Sequence, residues 1–280
     1  MQLAEQFNRA APRYDLLTRL NPGYHRALAD AARGLVSRVR RAAPRAHAAV
    51  TTEAGAVVTT NAGAALTTGA GGSTPPSLTL WDLGCGSGLS TQALVDAAGP
   101  DARIIGLDSS VGMLDQARAK DWPSGVSFVQ AYAQDLPQVA AREGAGQADG
   151  AFAAYLLRNV PADQRDAVVA AIRDQVAPGG WIALQDYHVK GSPVAQAIWT
   201  VVCFGIVTPL AIALRGNPAI YAYLWRSVLD NDSTDELAAR LTRAGLTDLT
   251  WSTARGWQRG ILHTVLARRP ETAPGQEGTA

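Results

Sequence analysis

Short apolar runs alternate with stretches of helical periodicity from residue 78 onward. The strand-like runs are Leu78–Leu83, Arg103–Leu107, Val126–Gln130, Gly150–Tyr155, Trp181–Asp186, Leu249–Ala254 and Ile261–Ala267. The helical stretches between them are Ser90–Ala98, Val111–Lys120, Ala162–Val176 and Ser233–Ala244. This alternation predicts an α/β fold with a seven-stranded, mostly parallel sheet and helices on both faces. The short connection between the last two strands predicts that the final strand runs antiparallel.

The chain before the first strand falls into two parts. Residues 1–41 have helical periodicity, with a turn at Asn21–Gly23, and predict an N-terminal helical cover. Residues 42–77 are nearly all Ala, Thr, Gly and Pro and contain a degenerate eight-residue repeat. Because this segment has few large apolar side chains, we expect a flexible low-complexity insertion. The main domain then spans residues 78–269, and residues 270–280 are expected to form a disordered tail.

One stretch of the main domain, Val194–Leu214, contains no charged residue. It is long enough to cross a bilayer. However, Gly205 and Pro209 interrupt it, and it lies between a strand and a later helix of the same predicted fold. We therefore predict an apolar cap at about residues 190–230 that covers the substrate and can rest on a membrane surface. Four aromatic residues are candidate interfacial anchors: Trp199, Tyr221, Tyr223 and Trp225. An ordinary buried helix pair is the alternative.

Composition removes several classes of function. The 280 residues include 25 basic and 24 acidic ones, for a net charge of +1, which disfavours a nucleic-acid partner. Two cysteines, Cys85 and Cys203, cannot form a disulfide scaffold, and the four histidines lack zinc-ligand spacing, so no metal is expected. The N-terminus lacks a signal-peptide pattern, which favours a cytoplasmic location, with membrane association left open.

The segment Leu80–Gly88 carries the most specific motif. An apolar strand ends in Asp82, and three glycines follow at alternate positions, Gly84, Gly86 and Gly88. Glycines there let the backbone turn tightly and approach a ligand. The nicotinamide-binding fingerprint G-x-G-x-x-G requires a glycine at position 89, where this chain has Leu89. The motif therefore predicts a nucleotide-type site and disfavours a nicotinamide cofactor.

A second candidate lies at the end of the second predicted strand. Asp108 is placed to accept hydrogen bonds from two ribose hydroxyls, although an acid at a strand end is as often a helix cap. On the next helix, Met113 could pack on an adenine face or belong to the core.

The segments Asp82–Gly88 and Gly106–Leu114 resemble the class I S-adenosylmethionine-dependent methyltransferases. More narrowly, three other segments are similar to the ubiquinone/menaquinone biosynthesis C-methyltransferases. They are Phe7–Leu17, Leu157–Val160 and Ala177–Gly180. The resemblance covers residues 7–41 and 78–268 and leaves out the low-complexity insertion. It implies a Rossmann-like fold, S-adenosylmethionine as the cofactor and a hydrophobic small-molecule acceptor such as a hydroquinone.

The resemblance also implies site residues. Cofactor-binding residues would be Tyr14, Asp82, Gly84, Gly86, Ser87, Gly88, Asp108, Met113, Tyr132 and Ala133. Catalytic residues would be Arg158, Asn159 and His188, each of which follows the carboxyl end of a predicted strand. Arg158 would stabilise phenolate charge, and His188 could act as a base. The structural alternatives are that Arg158 and Asn159 begin a helix, with the arginine solvated, and that His188 lies in a surface loop.

The sequence departs from the family pattern beside the expected adenine and at the acceptor end. Tyr132 stands where the family usually has Asn or Asp, with Asp135 as a possible substitute, and Asp186-Tyr187-His188 replaces Glu-x-Ser. These changes suggest a retained reaction and an altered acceptor. The acceptor could instead be a specialised phenol, polyketide or lipid, and a non-catalytic S-adenosylmethionine-binding protein stays possible. The oligomeric state is open.

Overall fold

The computed structural model describes residues 5, 7–8, 11, 15–16, 18–19, 21–53, 78–213 and 218–271. Its first helix, α1 (Tyr24–Glu53), begins after the predicted turn, where Gly23 has φ 93°. The helix continues past residue 41, where the sequence placed the end of the helical cover. The rest of the predicted insertion, residues 54–77, and residues 272–280 of the predicted tail lie outside the described residues.

The predicted seven-stranded sheet is confirmed. Its strands are β1 (Thr79–Leu83), β2 (Arg103–Asp108), β3 (Val126–Gln130), β4 (Ala148–Ala154), β5 (Val176–Tyr187), β6 (Thr247–Thr253) and β7 (Leu262–Arg268). Their spatial order is β3-β2-β1-β4-β5-β7-β6. The pairs among β1 to β5 are parallel, whereas β7 runs antiparallel to both β5 and β6. The final strand is therefore antiparallel, as its short connection predicts, and lies inside the sheet.

Helices connect the strands on both faces of the sheet. After α1 they are α2 (Leu89–Ala98), α3 (Val111–Arg118), α4 (Leu136–Arg142), α5 (Arg165–Asp174), α6 (Pro193–Val202), α7 (Thr208–Ala213), α8 (Pro218–Leu229) and α9 (Thr234–Arg243). The short α4 was not predicted, because its seven residues hold too few turns for a clear period. Val176 begins β5 instead of ending the preceding helix, so β5 is longer than predicted.

Each face of the sheet buries its own apolar core. Leu80, Ile104 and Phe152 pack under α1 and α2, whereas Trp81 and Ile105 face the other core. This alternation follows the two-residue period of a strand, and burial on both faces explains why the central strands are apolar throughout. Because β1 pairs parallel with both β2 and β4, the carboxyl ends of these three strands meet at one edge of the sheet.

The cap comprises α6, a π-helical turn at Cys203–Val207, α7 and α8, between β5 and α9. Its inner face is anchored in the core by Ala195, Trp199 and Cys203, all buried. Among the described residues, one helical stretch, Pro193–Leu210, is long and apolar enough to cross a membrane by length and composition alone. Because that stretch packs on the sheet through this buried row, it lies along the domain.

Candidate active site

A cavity of about 360 Å³ opens at the carboxyl ends of β1, β2 and β4. This volume is within the range of small-molecule sites, and open α/β sheets bind their ligands at this edge. Its walls combine the glycine turn, the end of β2, the segment after β4, the start of α1 and Phe7. Among the predicted site residues, those that line it are Gly84, Gly86, Ser87, Asp108, Met113, Tyr132, Ala133, Arg158 and Asn159.

The glycine turn is fixed to the neighbouring strand. The backbone N–H groups of Gly84 and Cys85 both donate to the carbonyl oxygen of Leu107, at 2.7 and 3.1 Å. Gly86 has φ 55°, and a Cβ built there would stand 3.1 Å from Met113 Cε. Gly88, at φ 87°, faces Trp122 instead of the cavity, at 2.8 Å from a built Cβ. The first two glycines thus shape the cavity wall, while Gly88 permits packing beneath it.

Asp108 closes the turn from the end of β2. Its two carboxylate oxygens accept backbone N–H groups from Gly86 and Ser110, each at 2.8 Å. Burial raises the pKa of Asp108, and these N–H groups oppose that shift. Each carboxylate oxygen can accept a further hydrogen bond, so Asp108 can both fix the turn and receive two ligand hydroxyls.

Asp82 was predicted to bind the cofactor, but it does not line the cavity. It is fully buried under the turn and accepts hydrogen bonds from the hydroxyls of Ser90 (2.8 Å) and Thr91 (2.6 Å). Burial raises the pKa of Asp82 and the two hydroxyl hydrogen bonds lower it, but the effect of burial is larger, and the pKa is about 7. Asp82 therefore ties β1 to the start of α2 and supports the turn from behind.

The shifted pKa of Asp82 makes stability depend on pH. The folded protein binds the Asp82 proton more tightly than the unfolded chain does. The contribution of Asp82 to the free energy of unfolding therefore declines as pH rises from about 4 to about 7. Asp82→Asn keeps an acceptor for both hydroxyls and removes the charge. We expect the variant to be more stable than the wild type at pH 8 and equal to it near pH 4, by urea unfolding at both values.

The control for that comparison is Asp101→Asn, which alters an exposed carboxylate on the loop before β2. This variant should follow the wild type at both pH values. An Asp82→Asn protein that is less stable at pH 8 would mean that the buried carboxylate is charged and stabilised there.

An N-terminal residue that was not predicted fastens the cover over the glycine turn. Asp15 accepts from the Ser87 hydroxyl (2.5 Å) and pairs with the Lys120 ammonium group (2.7 Å). Lys120 also donates to the carbonyl oxygen of Ser87, at 2.7 Å. Asp15 belongs to the Tyr-Asp segment that the sequence singled out, whereas no sequence signal marks Lys120. Tyr14 lies outside the described residues.

A second N-terminal contact joins the cover to α3. The Asn8 side-chain oxygen accepts from the Gly112 N–H (2.9 Å) and the Ser110 hydroxyl (2.6 Å). Nearby, Phe7 lines the cavity. Two polar contacts therefore hold an aromatic residue of the cover against the ligand space.

Tyr132 and its neighbours form the far wall of the cofactor end. Tyr132, Ala133 and Gln134 line the cavity after β3, and Met113 of α3 lines it as well. Asp135, a possible substitute for the family's polar residue, is exposed and not in the cavity wall. A flat apolar ligand could therefore contact both Met113 and Tyr132, with Gln134 as a polar group of the same cavity.

Arg158 reaches the cavity from the segment after β4, and its guanidinium contacts the side chains of Asp186, Ser227 and Asn159. Its Nε lies 3.3 Å from the Asp186 carboxylate, and its Nη1 donates to the Ser227 hydroxyl at 2.9 Å. Only 9% of Arg158 is exposed. Burial raises the pKa of Asp186, and the Arg158 charge opposes that shift. The solvated-arginine alternative is thereby excluded, since this guanidinium is part of a buried ion pair.

Asn159 shapes the chain next to Arg158. Its Nδ2 donates to the Tyr155 carbonyl oxygen (2.8 Å), and its Oδ1 accepts from the Tyr223 hydroxyl (3.1 Å). Tyr155 has φ 58°, a strained value for a residue with a side chain. The Asn159 contact and the Tyr155 N–H bond to the Gln185 carbonyl (2.7 Å) hold this turn. Asn159 is therefore a positioning residue for the end of β4.

His188 does not join Arg158 and Asn159 at the cavity. It is buried, with Nδ1 2.7 Å from the carbonyl oxygen of Asp232, and its ring lies beside Trp251 and His263. Because side chains alternate along β5, Tyr187 packs toward α1 and the cap, while His188 points to the opposite face. The expected role of His188 as a base therefore lacks the required geometry.

Aromatic side chains continue from the cavity wall to the cap. Tyr24 stacks on Tyr155 at 5.2 Å between ring centroids, Tyr155 contacts Tyr187 at 5.4 Å, and Tyr187 contacts Trp199 of α6 at 4.8 Å. Tyr24 and Tyr155 line the cavity together with Leu28 and Phe7. The end of the cavity near Arg158 is therefore suited to an apolar or aromatic ligand.

No cluster of three or more His, Cys, Asp or Glu residues in the described parts of the chain could hold a metal ion. Cys85 lines the cavity, but burial raises the pKa of its thiol. It is consequently a poor nucleophile.

The chain is similar to known proteins in sequence and in fold. Residues 81–180 match a family model described as a methyltransferase domain. The chain is 30% identical to a demethylmenaquinone methyltransferase of Desulfitobacterium hafniense over 70% of this chain and 75% of that protein. It is 25% identical to a ubiquinone/menaquinone biosynthesis C-methyltransferase of Rhizobium johnstonii, over 65% and 69%. An O-methyltransferase family structure from Burkholderia thailandensis shares the fold, with a TM-score of 0.50, 18% identity and coverage of 70% and 52%.

Proposed function

Because the chain belongs to the family of S-adenosylmethionine-dependent methyltransferases that includes the demethylmenaquinone methyltransferases, we propose that it methylates a ring carbon of a hydrophobic, hydroquinone-type acceptor. The observation that carries the proposal is a single cavity with two unlike ends. One end holds the glycine turn and Asp108, and the other combines aromatic walls with the Arg158 guanidinium.

The cofactor end fits S-adenosylmethionine. The absence of a Cβ at Gly84 and Gly86 leaves space along the turn, since a Cβ at either would stand 3.1 Å from a neighbouring side chain. Asp108 would bind the ribose hydroxyls, and Met113 and Tyr132 would enclose the adenine. When bound, the cofactor supplies an electrophilic methyl group on a sulfonium centre. The residues of this end hold and orient it.

At the acceptor end, Arg158 would stabilise negative charge. An arginine cannot serve as a base at neutral pH, but its guanidinium can bind a phenolate oxygen. The described lining contains no histidine and one carboxylate, Asp108, so this cavity offers no base beside Arg158. In this scheme the phenolic proton leaves to solvent. Arg158 then holds the oxygen while charge delocalises onto the ring carbon, which would take the methyl group as the sulfonium–methyl bond breaks. The proton on that ring carbon would then leave to solvent, and the ring would regain its aromaticity.

The same contact favours methylation on carbon over oxygen. A phenolate oxygen that accepts hydrogen bonds from a guanidinium has its lone pairs occupied, which lowers its nucleophilicity. Tyr155 and Tyr24 offer flat surfaces against which the ring can be oriented. Asn159 contributes indirectly, because it holds the strained turn that carries Tyr155.

The test uses labelled S-adenosylmethionine with a prenylated hydroquinone and with its short-chain analogue, and determines the methylated atom by NMR. We expect methylation on ring carbon, with the prenylated compound preferred. Asp108→Ala serves as the cofactor-site control. Methylation on oxygen, or a preference for a small polar acceptor, would contradict the proposed acceptor. No methyl transfer to any phenol would favour a non-catalytic binding protein.

A further inference from the structure

The outer face of the cap concentrates the exposed apolar side chains of the described protein. Nine large apolar residues are exposed, and six of them lie on the cap: Val194, Ile198, Val201, Phe204, Ile206 and Ile212. The exposed fraction is 70% for Val194, 68% for Val201 and 60% for Ile206. Concentrated exposure of this kind marks an interaction surface, whereas scattered single residues do not.

The cap presents this face while it lies flat on the domain. On α6, Val194, Ile198 and Val201 follow the spacing of one helical side, and Ala195 and Trp199 on another side are buried. Trp199 also contacts Tyr187 of the sheet. A helix anchored along its length in this way presents its apolar side parallel to a surface, as interfacial helices do.

The charge pattern selects the partner. Residues 187–229 contain no Asp or Glu, whereas they include Lys190, Arg215 and Arg226. Lys190 pairs with Glu236 of α9, so the excess positive charge of this segment comes from the two arginines. An apolar segment with basic and no acidic residues is attracted to anionic lipid headgroups. Two copies of this face would instead bring like charges together, which disfavours a dimer through the cap.

The cap also contacts the acceptor end of the cavity. Helix α8 supplies Ser227, which accepts from Arg158, and Tyr223, which donates to Asn159. Tyr223 and Ser227 thus connect the apolar surface layer to the residues beside the aromatic walls. A hydrophobic molecule leaving a bilayer at the cap would be close to the cavity.

We propose that the outer face of the cap is a docking surface for an anionic lipid bilayer, from which the hydrophobic acceptor is taken up. The docking rests on the exposed face and the charge pattern. The uptake of the acceptor rests in addition on the proposed function.

The experiment measures flotation of the full chain with vesicles of phosphatidylcholine alone and of phosphatidylcholine mixed with phosphatidylglycerol. Wild-type protein should float with the mixed vesicles and less with the neutral ones. The variant Val201→Ser/Phe204→Ser/Ile206→Ser should bind the mixed vesicles at least about tenfold more weakly than the wild type. The removed apolar side chains no longer contribute the free energy gained on transfer from water into the bilayer. High salt should weaken the wild-type binding.

A matched pair of single substitutions controls for hydrophobicity in general. Val201→Ser removes a valine from the cap, and Val111→Ser removes an exposed valine from α3. The first should lower flotation, and the second should leave it unchanged. Circular dichroism melts of all variants check the fold, which should be retained because the replaced side chains are exposed or half-exposed.

Two results would overturn the docking proposal. One is absence of flotation with either vesicle. The other is a dimer, seen by sedimentation, that the triple variant dissociates while flotation is unaffected. Methyl transfer to a short-chain acceptor separates the two proposals. The triple variant should keep that activity, and a wild type that floats but transfers no methyl group would remove the proposed function and leave the docking intact.

Discussion

Arg158→Ala is expected to destabilise the protein by about 3–5 kcal/mol, the usual cost of leaving one partner of a buried ion pair unpaired. Asp186 is buried, which raises its pKa, and the charge of Arg158 is the largest influence that opposes this rise. Urea unfolding at pH 7 measures the effect. Arg142→Ala, which removes an exposed arginine, should change stability by less than about 0.5 kcal/mol and is the control.

Because that loss of stability could itself lower turnover, a second variant is needed. Arg158→Ala/Asp186→Asn removes the uncompensated charge, and the introduced side-chain amide would still offer an acceptor to the Tyr187 N–H (2.9 Å in the wild type). We expect the double variant to recover part of the stability and to bind S-adenosylmethionine normally, while kcat stays low. Recovery of kcat with stability would show that Arg158 only supports the fold.

The cofactor end could be predicted largely from the sequence because its signals are local. A strand, an acid and alternating glycines occur within a few residues, and Asp108 follows the next strand directly. The contact of Asp15 with Lys120 could not be predicted in the same way. These residues are far apart in the chain, and only the folded cover brings them together over Ser87.

His188 shows a different limit. Because His188 follows an apolar run, the sequence correctly predicts that it lies at the carboxyl end of β5. The face to which it points depends on whether it falls on an odd or an even position of the strand, since side chains alternate between the two faces. Strand β5 begins at Val176, earlier than predicted, and its pairing with β4 has a register shift near that beginning. The alternation of faces along β5 therefore could not be predicted from the sequence. The end of α1 was underestimated for another reason. The segment after residue 41 is rich in alanine and so resembles a low-complexity linker, although alanine has the highest helix propensity.

Asp108→Ala is expected to weaken S-adenosylmethionine binding about 10- to 150-fold, which corresponds to about 1.5–3 kcal/mol for hydrogen bonds to a charged group. The carboxylate also holds the Gly86 N–H, so its removal loosens the turn as well as the ribose contact. Calorimetry measures the affinity. Asp135→Ala, which alters an exposed acid near the same edge of the sheet, should bind as the wild type does.

A cofactor analogue separates the two effects of Asp108→Ala. S-adenosylhomocysteine and its 2′-deoxy derivative differ in one ribose hydroxyl. The wild type should bind the deoxy compound more weakly, whereas Asp108→Ala should bind both alike, because the acceptor of that hydroxyl is gone. Since burial raises the pKa of Asp108, the wild-type preference should also diminish toward acidic pH as the carboxylate is protonated. An unchanged preference in the variant would mean that Asp108 shapes the turn without contacting the ribose.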